Sequence, residues 1–250
     1  MKREFLNDDW QISYRLQTIA DFIPDQMRVA DIGGDHAFLL LHLAKQGRLR
    51  RGIVGEINPG PFENAQHRVS MMGYSPLIEV RLGDGLSVVD QDEIDVVVIA
   101  GMGGALISQI LEEGKEKLSH IKRLVLQPNV GGRRVRTWLN ENHFQIIEET
   151  IVEEAGIFYE VIAAEPGEGQ HLYRHPKLTA GQLLELGPIL WRKKHPLLKK
   201  KLLEDWRAKQ KILRQLENGR SEEARRRKEE LEQEMKEWEK VMTWLSAEQN

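Results

Sequence analysis

Asp31, Gly33, Gly34, Asp35 and His36 lie within six consecutive positions, just after the apolar run that begins at Met27. Their types suit a positively charged ligand lying close to the main chain. Glycines reach backbone angles that other residues avoid and, lacking a side chain, let a ligand rest against the chain. Two carboxylates attract a cation and repel phosphate. The stretch is not the G-x-G-x-x-G of dinucleotide-binding proteins, because Asp35 stands where a pyrophosphate would have to approach. A ligand with an ammonium or a sulfonium group fits, and S-adenosylmethionine has both. Alone, the same residues also make an ordinary βα turn.

Further chemistry-bearing residues follow at ordered distances. Glu56 closes the strand-like run Gly52 to Ile57, 25 positions after Asp31, near the ~20-residue spacing at which a second-strand acid holds ribose hydroxyls. Asp84 and Gly85 follow the run Leu77 to Leu82, where an acid can accept from an adenine amino group. Gly101, Met102, Gly103 and Gly104 follow the β-branched run Ile94 to Ala100. Gln127 and Asn129 close a fifth run, Arg123 to Gln127, and amide side chains both donate and accept. Pro128-Asn129 also reads as a simple turn. Arg48, Arg50 and Arg51 form a basic turn that could touch a phosphate backbone, although such residues are more often ordinary surface charge.

These residues need elements to carry them. A helix is expected from Arg3 to Ile23, ended by Pro24 and packed across the sheet or over the ligand mouth. Helices are expected over Ala37–Gln46, Phe62–Met72, Leu106–Leu111 and Arg133–Asn142, alternating with the five runs. Phe144–Val152 and Ile157–Ala164 read as an antiparallel pair around Glu154-Ala155-Gly156. Five β/α units and a closing hairpin match the sheet of class I methyltransferases, whose last strand runs antiparallel. Parallel strands place ligands at their carboxyl ends, where Asp31, Glu56, Asp84 and Gly101 fall.

The 250 residues accommodate one α/β domain with an appendage. A Rossmann-like catalytic domain is expected over 1–165, and a linker with a helical coiled-coil domain over 166–250. Mean hydropathy is −0.48. No apolar run reaches the ~18 residues of a membrane span, and Met1 to Asp9 has no apolar signal core, so a cytoplasmic protein is expected. The absence of cysteine agrees with a reducing compartment, and no metal site is expected. From Arg174 onward there are 19 Lys+Arg against 13 Asp+Glu, a balance of +6, leaving −9 for the rest. That asymmetry suits a polyanionic partner or a solvated charged helix. Leu198, Leu202, Trp206, Leu213 and Leu216 form one apolar stripe and Leu231, Met235, Trp238, Met242 and Leu245 a second. Between them, Asn218 to Ser221 reads as the turn of a hairpin. Trp191, Trp206, Trp238 and Trp244 read as core or as stacking surfaces for bases.

Taken together, Asp31-Ile32-Gly33-Gly34-Asp35-His36-Ala37, Glu56 with Gly60-Pro61, Gly83-Asp84-Gly85-Leu86, Ala100 to Gly104, Leu126-Gln127-Pro128-Asn129 and Tyr159-Glu160-Val161-Ile162 resemble the bacterial TrmK family. The resemblance spans nearly the whole chain, including Gly187 to Leu190. It implies an S-adenosylmethionine-dependent enzyme that methylates N1 of the adenine at position 22 in the D-arm of tRNA. It also implies that Asp31, Gly33, Asp35 and His36 form the methionine-side turn, that Glu56 holds the ribose, and that Asp84 with Gly85 holds the adenine of the cofactor. The chain has Gly34 where the family usually has serine, a change the turn is expected to survive. Gly101, Met102 and Gly103 are expected to meet the cofactor or the target base through carbonyls and an apolar side chain. Asp31, His36 and Asn129 are the candidates for work on the target adenine, and Arg133, Arg134 and Arg136 for phosphate contacts. The chain is expected to be monomeric. Rival readings are methylation of another RNA nucleotide, a non-catalytic scaffold with a partner-binding coiled coil, and an NAD-linked oxidoreductase, which lacks its glycine fingerprint.

Overall fold

The structure, a computed structural model, describes residues 11–216 and 222–247. Residues 3–10 of the expected first helix, the expected Asn218–Ser221 turn, and the side chains of Trp244 and Leu245 lie outside the described residues. Two compact units divide after Lys193.

The first unit is built on a seven-stranded sheet in the order β3-β2-β1-β4-β5-β7-β6. The strands are β1 (Met27–Ile32), β2 (Leu49–Glu56), β3 (Ile78–Leu82), β4 (Val96–Gly103), β5 (Arg123–Val130), β6 (Phe144–Glu154) and β7 (Ile157–Pro166). The first five pair in parallel, whereas β7 runs antiparallel to both β5 and β6. Val96 to Ile99 are fully buried, as befits a central parallel strand covered on both faces. The helices are α1 (Tyr14–Asp21), α2 (Phe38–Lys45), α3 (Pro59–Met71), α4 (Gly104–Glu113) and α5 (Gly132–Glu141), followed by α6 (Ala180–Leu186) and α7 (Pro188–Arg192). Ser13 starts α1 by accepting from the Leu16 N–H at 3.3 Å.

Two strands run further than their apolar composition suggested. β4 continues through Gly101, where φ of +78° and a register shift between Ala100 and Met102 mark a bulge. The glycine-rich segment is therefore the kinked end of a strand, and α4 begins at once at Gly104. β5 extends to Val130, so Pro128 and Asn129 belong to the strand, with Pro128 opposite Met102 at that irregularity.

The expected boundary at 165/166 is displaced by a buried ion network. Arg136, wholly buried, donates from Nε to Glu149 at 2.6 Å and from Nη2 to Glu160 at 2.7 Å. Its Nη1 reaches the carbonyls of Leu184 and Glu185 in α6, and Glu149 also accepts from the Ile189 N–H of α7 at 2.8 Å. A bulge between Ile146 and Glu148 shifts the alternation of β6 by one residue, which turns Glu149 to the buried side. These bonds hold α6 and α7 to the sheet unit. They also correct one expectation: Arg136 is a structural cation with no surface to offer a phosphate, whereas Arg133 and Arg134 are exposed.

The second unit contains α8 (Leu198–Leu216) and α9 (Glu222–Ala247), which pack against each other. Leu198 and Leu202 on α8, and Leu231, Met235 and Val241 on α9, are buried. Val241 thus takes the interior place expected of Met242, which is half-buried, as are Trp206 and Trp238.

Candidate active site

Backbone bonds stitch the turns at the carboxyl ends of β1, β2 and β3 side by side. The Gly33 N–H donates to Gly55 O at 2.8 Å and the Gly83 N–H to Glu56 O at 2.9 Å. Gly33 has φ of +69°, and a Cβ there would overlap the Met102 methyl group. A Cβ at Gly34 would overlap the Asp31 carboxylate, so a serine at this position would require Asp31 to move. Beyond Asp35, His36 (φ +61°) and Ala37 (φ +60°) are both left-handed without being glycine, a strained arrangement that surrounding structure must hold in place and that concentrates at functional sites.

The carboxylates here are held under electrostatic stress. Asp31 is 4% exposed, and burial, with the Glu56 carboxylate adding to it, pushes its pKa up to about 7. Glu56 is 6% exposed and is also raised, by burial first and by Asp35 second. Its Oε1 is buried without a hydrogen-bond partner. A buried acceptor in that state is costly unless a ligand donates to it. Ribose hydroxyls would supply such a donor, and a sulfonium or ammonium would favour the ionised form of the pair. The residues present therefore fit S-adenosylmethionine. Asp84 is exposed at the end of β3.

Beside this row lies a cavity of about 580 Å³. Asp31, Gly33, Gly34 and Asp35 form one wall, Gln11 to Ser13 with Arg15 and Leu16 another, Ala100, Gly101 and Asn129 a third, and Glu154 with Tyr159 a fourth. The structure thus brings together the β1 turn, the β4 bulge and Asn129. It leaves Glu56, Asp84, Gly85, Met102 and Gly103 outside the cavity lining. His36 is not among the lining residues either: its Nε2 lies 3.2 Å from Asp35 Oδ1, its Nδ1 is buried without a partner, and its ring is tilted on Phe38 at 5.6 Å. Gln127 is wholly buried and so does not touch a base directly.

Arg15, Glu154 and Tyr159 were missed as site residues by sequence reasoning. The Arg15 guanidinium lies 5.1 Å from the Tyr159 ring centroid, its Nη1 donates to Gln127 Oε1, and its backbone N–H donates to Glu154 at 3.2 Å. Only the expected position of α1 over the ligand mouth and the late Tyr159 motif hinted at this wall.

A mostly parallel seven-stranded sheet with one reversed strand, and with acid-bearing turns at its carboxyl edge, defines a Rossmann-like methyltransferase of the kind that uses S-adenosylmethionine. The chain belongs to the TrmK family, described as tRNA (adenine(22)-N(1))-methyltransferase, whose family model matches residues 29–240. It is 40% identical over 221 residues to the tRNA (adenine(22)-N(1))-methyltransferase of Bacillus subtilis strain 168, covering 88% of this chain and 92% of that relative. The crystal structure of the B. subtilis M1A22 tRNA methyltransferase TrmK superposes with a TM-score of 0.85 at 37% identity, covering 94% of this chain and all of that one. A Streptococcus pneumoniae structure, in complex with S-adenosyl-L-methionine, superposes with a TM-score of 0.80 at 33% identity, covering 93% of this chain and all of that one.

Proposed function

We propose that the carboxyl edge of the sheet methylates N1 of adenine 22 in tRNA, with the β1–β3 turns holding S-adenosylmethionine and the adjoining cavity receiving the base. The observation that carries this reading is the pairing of an unsatisfied, buried Glu56 oxygen and a stressed Asp31 with an open cavity that shares the Asp31–Asp35 turn. Glu56 binds the ribose, and Asp84 with Gly85 the cofactor's adenine. Asp31, Gly33, Gly34 and Asp35 bind the methionine end, and Met102, packed on Gly33, covers the turn. His36 braces this turn through Asp35.

S-adenosylmethionine supplies an activated methyl group on a sulfonium. The chain's own part is alignment, exclusion of water and accommodation of charge. N1 of adenine carries a free lone pair at neutral pH, so no proton has to be removed from it before attack. Alignment of this kind offsets about 7–11 kcal/mol of barrier. The methylated base is cationic, and the Asp31 carboxylate and the carbonyls near Gly101 favour that charge. Because N1 lies on the pairing edge, the base must leave its stack, at a cost of a few kcal/mol. Tyr159, backed by Arg15, offers an aromatic wall against which it rests.

The exposed Arg133 and Arg134 at the start of α5 approach phosphates, and the basic α8–α9 hairpin contributes to tRNA affinity. Packing of α8 on α9 within one chain favours a monomer, and a tRNA substrate favours the cytoplasm. The test is transfer of labelled methyl from S-adenosylmethionine to two unmodified transcripts differing only at position 22. Label at N1 on the adenine transcript alone is expected. Equal label on a guanine transcript overturns the position, and no label on either overturns the reaction.

A further inference from the structure

The corner of the cavity at Asn129 is built by a chain of hydrogen bonds whose order can be read from its first link. Gln127 Oε1 accepts both from Arg15 Nη1 and from the Gly101 N–H, the latter at 3.1 Å. Two donors on one atom identify the oxygen end of that amide. Its NH2 is thereby turned to Asn129 Oδ1, at 3.0 Å, and the Asn129 NH2 in turn donates to Gly101 O at 2.7 Å. Asn129, on the cavity wall, keeps one N–H and one lone pair on Oδ1 after these bonds.

An amide donor and an amide acceptor complement the N7 and the N6 amino group of adenine. Guanine presents O6 at the place of the amino group, so the Asn129 oxygen would face another acceptor. Reading N6 and N7 also leaves N1 uncovered, and N1 is the atom that receives the methyl group. Resting on the function proposed above, we infer that Arg15 is a positioning residue that, through Gln127, holds the Asn129 amide in the orientation that selects adenine by its N6/N7 edge. Arg15 is itself well held, with a side chain 24% exposed that rests on Tyr159 and a backbone N–H bonded to Glu154.

The test compares two tRNAs identical except that position 22 carries adenine or 7-deazaadenine, which keeps N1 and N6 and lacks the N7 acceptor. Wild-type enzyme is expected to lose about 3- to 10-fold in kcat/KM on the deaza tRNA, the range of one hydrogen bond. Arg15→Ala and Asn129→Ala are expected to be slower overall and to discriminate less than 2-fold, with Arg15→Lys recovering part of the discrimination. Any change in N1 basicity is common to all the enzymes and cancels in this comparison. An Arg15→Ala or Asn129→Ala enzyme whose ratio of the two rates equals that of the wild type overturns the relay. If Arg15→Ala does not fold, as read by thermal melting, Asn129→Ala and Arg15→Lys decide the matter by the same ratio. Methylation of neither tRNA by the wild type overturns the proposed function, and the relay with it.

Discussion

Arg136 and Arg15 each stand at the centre of a network that joins distant parts of the sheet unit, but only one network is closed. Arg136 directs its guanidinium at two carboxylates and two carbonyls in the interior, with no exposure. Arg15 sits on the cavity wall, with a buried Nε that has no hydrogen-bond partner and a chain of amides ending at the exposed Asn129. A closed network locks elements together, and an open one leaves donors and acceptors for a ligand. Glu56 belongs with the open group, because its Oε1 is buried and unpartnered. The charge of a side chain does not distinguish these roles; the saturation of its hydrogen bonds does.

The largest effect is expected of Arg136→Ala. It removes the cation shared by Glu149 and Glu160 and is expected to cost about 3–5 kcal/mol of stability in urea unfolding, with tRNA affinity of the folded fraction unchanged. The reverse result, normal stability with weakened tRNA binding, would return Arg136 to the surface role expected from its position beside Arg133 and Arg134. Glu56→Ala comes next: the dissociation constant for S-adenosylmethionine should rise at least tenfold by calorimetry, consistent with loss of hydrogen bonds to a charged group. Unaltered affinity would remove Glu56 from the ribose role.

Asp31 gives a prediction in pH. Its pKa in the folded chain, about 7, lies above the ordinary carboxylate value of 3.8. Its contribution to the stability of the ligand-free protein is therefore fully present below about 4 and is lost as pH rises toward 7. A cationic ligand favours the ionised form, so affinity for S-adenosylmethionine should rise with pH up to about 7, by up to about tenfold per unit. Asp31→Asn should flatten both trends in calorimetry and melting scans. The smallest effect is expected at Arg133 and Arg134. Their joint replacement by alanine should weaken tRNA binding a few-fold and reduce the salt slope by about one to two, as one or two phosphate contacts would. An unchanged slope would show that neither residue contacts a phosphate.

The placement of the candidate site's acids along one sheet edge is legible in the sequence, because they share one structural role. Asp31, Glu56 and Asp84 each follow an apolar run, and parallel strands place such positions along one edge whatever the helices between them do. The bulge at Gly101 was legible only as a glycine cluster, since composition does not say whether glycines kink a strand or replace it. The run Arg133-Arg134-Val135-Arg136 reads in sequence as uniformly basic, which hides the interior role of Arg136. On α5 its members face different ways, and the fourth meets two acids of the closing hairpin.

The alternation of strands and helices, the acids that end the strands and the amphipathic character of the two C-terminal helices are local properties of the chain. These depend on periodicity and turn chemistry among near neighbours, which the chain spells out locally. That Arg136 is interior, that α6 and α7 belong to the first unit, and that Arg15 meets Gln127 from 112 positions away are properties of the assembled fold. Those outcomes depend on which side chains a closed sheet and its helices bring within hydrogen-bonding distance, and no local pattern records that distance.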